Sequence, residues 1–249
     1  MATLASPPAA TSRIPVGVAP LRAGQGRSFL WRRLHSLSGI FPIGVFLLEH
    51  FISNAFATNG PNAYADEVKF LTGIPFLIWV EAIFIYIPIL YHALYGFWIW
   101  YRGESNVGSY TYIGNWGYAI QRWTGAIAFF YIVWHTLTMR FIGVHLVGGG
   151  YANAFGKVQL EMQHPYAVAF YAIGILCASV HFSYGLWLFA AKWGITTGER
   201  GRRNWGYFCA LVCLFFLGVG YLAMFSFFQW PQQPVNEPAP HTITQVINR

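Results

Sequence analysis

Eight histidines are the side chains of this sequence best suited to chemistry, because imidazole binds metals and exchanges protons near neutral pH. Five of them fall inside long apolar stretches: His35, His50, His92, His135 and His181. An ionisable group at such a place is costly, so its default interpretation is functional. For one histidine, a simple interhelical hydrogen bond is an equal alternative. Several histidines on separate stretches favour the binding of a cofactor.

Two of these histidines begin a repeated motif. His92 begins H-A-L-Y-G-F-W and His181 begins H-F-S-Y-G-L-W, so both segments read H-x-x-Y-G-x-W. On a helix, the glycine four residues after each histidine lies on the same face. A glycine there leaves room for a flat, bulky group against the backbone. The alternative is a pair of helix-packing motifs, since small residues are common where membrane helices touch.

The composition indicates the surroundings of these histidines. Of 249 residues, 56% are hydrophobic and 9% are charged, whereas a soluble domain carries about 25% charged residues. This excludes an ordinary soluble enzyme and, despite a net charge of +7, a nucleic-acid-binding protein. The three cysteines lie in apolar runs and form no CxxC pair, which argues against a disulfide framework or a zinc site. We expect an all-α membrane protein.

Five apolar stretches are long enough to cross a bilayer as helices, which takes about 20 residues each. The predicted spans are 29–54, 76–101, 120–145, 166–192 and 205–229. They form one membrane unit, 27–230, between a flexible basic tail at 1–26 and a polar tail at 231–249. Eleven basic residues on the N-terminal side and four on the other predict a cytoplasmic N-terminus and a C-terminus outside.

The depths of the histidines separate them into two layers. With about 1.5 Å of rise per residue, His92 and His181 lie about 14 and 17 Å from the cytoplasmic edge, and His135 and His50 about 22 and 31 Å. In a bundle of the first four spans, the first faces the third and the second faces the fourth across the core, where bundles build cofactor sites. Two stacked haems, each held by two histidines, fit this arrangement. His35, at about 9 Å, is a weaker alternative to His50 as the partner of His135.

Short segments around the histidines resemble a known family. The segments are Arg32-Arg33-Leu34-His35-Ser36-Leu37, Leu48-Glu49-His50, Tyr91-His92-Ala93, Trp134-His135, Val180-His181-Phe182-Ser183 and Ala191-Lys192-Trp193-Gly194. The resemblance that they carry covers about residues 27–229. They resemble the single-chain, di-haem cytochrome b anchor of type B succinate:quinone oxidoreductases and quinol:fumarate reductases.

The resemblance implies five transmembrane helices, of which the first four form a bundle around two stacked b haems. His92 and His181 would be the axial iron ligands of the proximal haem, nearer the cytoplasm. His50 and His135 would be the ligands of the distal haem. His35 would then not bind iron.

The resemblance also implies where the haem propionates lie. In relatives, the region matching His35 and Ser36 lies beside the propionates of the proximal haem, together with the lysine at Lys192. Arg122 would join them as a further cation at the same edge. The alternative for Arg122 and Lys192 is anchoring at the inner membrane surface, where basic residues concentrate.

Glu49 and Glu81 are the two carboxylates placed clearly inside the predicted spans, and both fall towards the outer edge. Relatives bind quinone near the distal haem, so we expect this pair to exchange protons with quinone. The alternative is a hydrogen bond or exposure at the membrane interface. Some fumarate-reducing relatives carry a glutamate two residues before the fourth haem ligand for transmembrane proton transfer, and Ser179 stands at that position here. We therefore expect no such proton pathway.

The function implied by the resemblance is that of a membrane anchor and electron-transfer subunit of succinate dehydrogenase in the bacterial cytoplasmic membrane. Partner subunits would carry covalent FAD and iron–sulfur clusters, and electrons would pass through two b haems to a quinone such as menaquinone. The chain itself has no GxGxxG or P-loop motif for nucleotide binding. The alternatives are a fumarate reductase anchor working in reverse, a di-haem anchor of hydrogenase or formate dehydrogenase, and a non-redox membrane transporter.

Overall fold

The regular structure of the chain is helical throughout the residues that the computed structural model describes, which are 23–103, 108, 113–142 and 153–235. The helices are α1 (Ala23–Ile40), α2 (Ile43–Ala55), α3 (Pro61–Thr72), α4 (Leu77–Glu81), α5 (Ile87–Tyr101), α6 (Ile113–Thr136), α7 (Ala154–Met162), α8 (Pro165–Lys192) and α9 (Glu199–Ser226). A 3₁₀ turn, Phe56–Asn59, follows α2, and π-helical segments at Ala82–Tyr86 and Leu137–Ile142 follow α4 and α6. Most of the predicted tail at 1–26, and residues 236–249 of the other tail, lie outside the described residues.

Four segments of the described chain are long and apolar enough to cross a membrane. They are Ser28–Asn59, Leu77–Tyr101, Pro165–Lys192 and Glu199–Ser226, and they correspond to four of the predicted spans. In the place of the predicted third span, 120–145, α6 and its π-helical continuation extend from Ile113 to Ile142. This segment is not one of the four, so the count of five spans remains a prediction.

The first span illustrates how apolar residues face outwards. Phe41, Val45, Leu48 and Ile52 follow a helical spacing of four, three and four residues. Their exposed fractions are 58%, 56%, 42% and 46%. Such a stripe would be unfavourable in water, whereas lipid tails solvate it. The exposed stripe and the long apolar helices make the chain a multi-pass membrane protein.

The helices pack as a bundle. The helix α1 packs against α5 and α8, and α6 packs against both of these helices as well. The order around the bundle is therefore α1, α5, α6 and α8, which leaves α1 diagonal to α6 and α5 diagonal to α8. The helix α9 lies outside this ring, against α2 and α8. This all-α bundle agrees with the predicted fold class.

A small cap covers the end of the bundle that we predict to face outside. It consists of the 3₁₀ turn Phe56–Asn59, α3, α7 and the segment Phe227–Val235, and we call it the outer cap. Its apolar centre is formed by Ala57, Tyr64, Phe155 and Phe227. Residues 231–235, which the sequence assigns to a polar tail, are part of this cap because the buried side chain of Gln159 accepts a hydrogen bond from the backbone N–H of Gln233 at 2.9 Å.

Candidate functional site

The structure brings His92 on α5 and His181 on α8 together across the bundle. Their ring centres are 6.1 Å apart and the ring planes are nearly perpendicular, at 89°. The Nδ1 atom of His92 lies 3.0 Å from the backbone carbonyl oxygen of His35, and that of His181 lies 2.9 Å from the carbonyl oxygen of Gln121. A carbonyl can only accept, so each Nδ1 donates a proton. Each Nε2 is left with its lone pair for a metal.

Two glycines allow these rings to approach the neighbouring helices. A Cβ atom on Gly39 would lie 2.6 Å from Cε1 of His92, and one on Gly125 would lie 2.5 Å from Cε1 of His181. The glycines of the repeated motif also stand at close contacts. A Cβ on Gly96 would lie 3.3 Å from the His35 ring, and one on Gly185 would lie 3.3 Å from Gln121 Nε2.

A second pair is formed by His50 on α2 and His135 on α6. Their ring centres are 5.7 Å apart, with an angle of 69° between the planes. The Nδ1 atom of His135 lies 3.0 Å from the hydroxyl of Tyr171. The backbone of His50 is tied to Asn54, whose side-chain amide donates to the His50 carbonyl at 2.8 Å. The hydroxyl of Tyr64 in the outer cap donates to the Asn54 side chain at 3.2 Å.

The ring-centre distances of both pairs match those of two imidazoles on opposite sides of one iron. A metal held about 2 Å from the nitrogen of each of two imidazoles separates their ring centres by about 6 Å. Within the described residues, no group of three or more His, Cys, Asp and Glu could bind a metal by itself. Two neutral imidazoles are the ligands that a haem iron takes when its own ring supplies the other four.

The residues predicted near the propionates lie at the inner edge, but in different surroundings. The ring of His35 stacks on that of His92 with centres 4.1 Å apart. Lys192 interacts electrostatically with His35 and with the guanidinium groups of Arg32 and Arg33. This end of the bundle thus concentrates positive charge and suits an anionic group.

Ser36 and Arg122 are less closely associated with the basic group formed by Lys192, Arg32 and Arg33. Within the described chain, Ser36 makes no hydrogen bond, and Ser38 is the serine that lies near His92, with its Oγ 3.3 Å from Nδ1. The guanidinium of Arg122 hydrogen-bonds to the hydroxyl of Tyr118, and its centre lies 3.8 Å from the Tyr118 ring centre. The propionate roles of Ser36 and Arg122 remain predictions.

Glu49 belongs to a cluster of two carboxylates and one hydroxyl. Ser53 Oγ lies 2.6 Å from Glu49 Oε1 and 2.8 Å from Oε1 of Glu67, which is on α3 in the outer cap. A hydroxyl has a single proton, so it can donate to one carboxylate at a time. The other short contact is a hydrogen bond only when a carboxyl group supplies the proton. The three side chains can therefore pass a proton among themselves.

Glu81 has a different partner from Glu49. It forms a two-armed ion pair with Arg140, with Nε–Oε1 and Nη2–Oε2 distances of 3.0 Å. The pair links α4 to the π-helical segment that continues α6. Both carboxylate oxygens of Glu81 thus accept hydrogen bonds from Arg140. The contacts therefore make Glu81 a less suitable proton carrier than Glu49.

Several residues of the site are absent from the sequence-based prediction, among them Ser53, Glu67 and Tyr171. The spacing of Glu49 and Ser53 by four residues on one helix indicates a contact, and this signal could have identified Ser53. Glu67 and Tyr171 come from other helices. Only the tertiary packing brings them to Ser53 and His135.

Comparison with known proteins identifies the family. A family model described as "Succinate dehydrogenase/Fumarate reductase transmembrane subunit" matches residues 104–220. The chain is also 37% identical over 201 residues to the succinate dehydrogenase cytochrome b558 subunit of Bacillus subtilis (strain 168), which covers 81% of this chain and 98% of that protein. The chain therefore belongs to the family of cytochrome b transmembrane subunits of succinate dehydrogenase and fumarate reductase.

Proposed function

We propose that this chain is the membrane anchor and electron-transfer subunit of a succinate dehydrogenase, and that it carries electrons from an iron–sulfur subunit through two b haems to a quinone. The observation that carries the proposal is the pair of facing histidines at each of two levels of the bundle. His92 and His181 would hold the haem nearer the cytoplasm, and His50 and His135 the outer one. The family and the cytochrome name of the Bacillus subtilis relative support a haem-binding membrane subunit of succinate dehydrogenase.

Haem b bound at these positions would supply reversible one-electron transfer, with no coordination position left open for oxygen. The residues of the chain determine how it is held. The carbonyl groups of His35 and Gln121 orient the inner ligands through their Nδ1 protons. Lys192 and Arg33 place positive charge beside the His35 ring, where propionates would lie.

The partners follow from the chemistry that this chain lacks. It has no nucleotide-binding motif, so succinate oxidation requires a flavoprotein with covalent FAD and an iron–sulfur subunit on the cytoplasmic face. Arg33 lies over the rings of Phe29 and Trp193, at 4.8 and 5.0 Å from their centres. This cation–aromatic group at the inner end is a suitable edge for a docked subunit.

Quinone reduction would take place at the outer end, beside the Glu49–Ser53–Glu67 cluster. Reduction of a quinone by two electrons also takes up two protons, so the site needs groups that release and regain protons. The two carboxylates that share the Ser53 hydroxyl meet this need. Menaquinone is the quinone that we assign to the site from the resemblance.

Purification of the tagged chain from native membranes tests the proposal. We expect a flavoprotein with covalent flavin and an iron–sulfur protein to co-purify, and succinate to reduce the haem absorbance of the complex. A haem-containing chain with no flavoprotein would instead support the anchor of another dehydrogenase. A chain with no haem absorbance would support a transporter and overturn the proposal.

A further inference from the structure

The nearest hydrogen-bond acceptor of the Nδ1 atom differs between His135 and the two histidines of the inner pair. At the inner pair, both Nδ1 atoms donate to backbone carbonyls, of His35 and Gln121. At the outer pair, the Nδ1 atom of His135 faces a side chain, the hydroxyl of Tyr171, at 3.0 Å. A substitution can remove a side-chain acceptor, whereas a backbone carbonyl is present whatever the residue type.

Tyr171 is held firmly in this position. It is 7% exposed and belongs to the main core cluster with Phe51, Met162, Ile175, Phe216 and Met224. Its ring also makes edge contacts with Tyr131 and Trp134, at centre distances of 5.5 and 5.7 Å. Within the described residues, His135 is the hydrogen-bonding partner of its hydroxyl. The packing therefore holds one oxygen atom against one ring nitrogen.

We propose that Tyr171 is a positioning residue that orients His135 and lowers the reduction potential of the outer haem. This proposal rests on the proposed function, in which His135 binds iron through Nε2. The iron-bound ring must then keep its proton on Nδ1, and this N–H donates a hydrogen bond to the Tyr171 oxygen. This hydrogen bond makes the imidazole a stronger electron donor, which stabilises the oxidised iron relative to the reduced iron. The hydroxyl thereby influences how readily electrons leave towards a quinone.

The variant Tyr171→Phe removes the oxygen and keeps the ring that packs in the core. In the haem-loaded complex, potentiometric titration of the optical spectrum should show two components, of which one has a more positive midpoint potential than in the wild type. The other component, at the inner pair, should be unchanged. Comparison with His92→Ala, which lacks the inner haem, identifies the component that belongs to the outer pair.

Tyr131→Phe is the matched control. Tyr131 stacks on the same His135 ring, with centres 5.6 Å apart and planes 18° apart, but no hydrogen bond joins its hydroxyl to that ring. We expect both midpoint potentials of this variant to equal those of the wild type. An equal shift in Tyr131→Phe and Tyr171→Phe would overturn the proposal, because a general packing change would then explain both.

A second variant covers the case in which Tyr171→Phe loses the outer haem. 3-Fluorotyrosine at position 171 keeps the hydroxyl in nearly the same volume but makes its oxygen a poorer acceptor. We expect full haem content and a smaller positive shift of the outer midpoint potential. If the wild type has two titrating haems and both position-171 variants keep its midpoint potentials, the role of Tyr171 is overturned and the proposed function is not. Absence of two haems in the wild type would instead overturn the proposed function.

Discussion

At the residue scale, two glycines set how closely the inner histidines approach the neighbouring helices. A methyl group on Gly125 would come within 2.5 Å of the His181 ring, so Gly125→Ala must displace the ring or the helix that carries it. We expect this variant to lose the haem of the inner pair and to keep the outer one. A pyridine haemochrome assay of haem per chain measures this loss.

Gly218→Ala is the control for that experiment. Gly218 is also within a long apolar helix, α9, but a Cβ atom there would meet no heavy atom within 4 Å. We expect this variant to retain the haem content of the wild type. Equal haem content in Gly125→Ala and the wild type would show that the inner site tolerates the added methyl group and would contradict the role given to this contact.

The acidic cluster gives a second prediction at this scale. Glu49→Gln and Glu67→Gln each remove a carboxylate from the shared Ser53 hydroxyl. Because positioned acid–base groups accelerate proton transfer strongly, we expect the succinate:quinone activity to fall by about tenfold or more. Succinate-driven reduction of an artificial dye, which takes electrons from the partner subunits, should stay unchanged, as should the haem content.

Glu81→Gln is the comparison for this pair. It breaks the ion pair with Arg140, so we expect less assembled complex but an unchanged quinone activity per haem. Full quinone activity in Glu49→Gln, Glu67→Gln and the double variant would contradict the proton role of the cluster.

At the element scale, the long helices were predictable and the outer cap was not. Long apolar runs specify where a chain can cross a bilayer, because each crossing needs about 20 apolar residues. The outer helices α3 and α7 are 12 and 9 residues long. Because these helices are short and contain both polar and apolar residues, their hydropathy does not distinguish them from loops. The helix α6 begins at Ile113, before the predicted span 120–145, because Asn115 and Gln121 interrupt the apolar pattern of its first half without interrupting the helix.

The outer cap depends on one amide side chain. The Nε2 atom of Gln159 donates to the carbonyl oxygens of Phe227 and Trp230, both at 3.0 Å, and its Oε1 accepts from the backbone of Gln233. A Cβ on Gly156 would lie 3.0 Å from Val235, so the segment lies close against α7. The hydrogen bond between Gln159 and Gln233 joins residues that are 74 positions apart. No local sequence pattern indicates such a contact, so residues 231–235 were predicted to belong to the polar tail.

Gln159→Leu should release this segment. Each buried backbone group left without a partner costs about 1 to 3 kcal/mol. We therefore expect faster amide hydrogen exchange in residues 227–235 and a lower thermal stability of the complex. Gln163→Leu is the matched control one turn away, since that side chain makes an exposed hydrogen bond to Gln232. Equal exchange in the two variants would show that Gln159 does not hold the cap.

At the scale of the whole molecule, the histidines were predictable from their number and depth, but their hydrogen-bonding partners were not. Imidazoles inside apolar helices stand out because they are costly there. The partners of His92 and His181 are backbone carbonyls from other helices, which any residue type could provide. Tyr171 is one of 15 tyrosines, and only the packing of α8 against α6 distinguishes it.

The arrangement of charge and apolar surface also acts at this scale. Positive side chains gather at the end that carries Arg32, Arg33 and Lys192, while the acidic cluster and the Glu81–Arg140 pair lie near the other end. The two histidine pairs lie between these ends. This order suits a path that begins at a docked redox partner and finishes at a proton-accepting substrate.

Quantification of haem b per chain tests the central claim of two bis-histidine sites most directly. We expect two haems in the wild type and one in each of His50→Ala, His92→Ala, His135→Ala and His181→Ala. The remaining haem should have one spectrum in His92→Ala and His181→Ala, and a second spectrum in His50→Ala and His135→Ala. One haem or none in the wild type, or residual spectra that pair the histidines differently, would contradict the account.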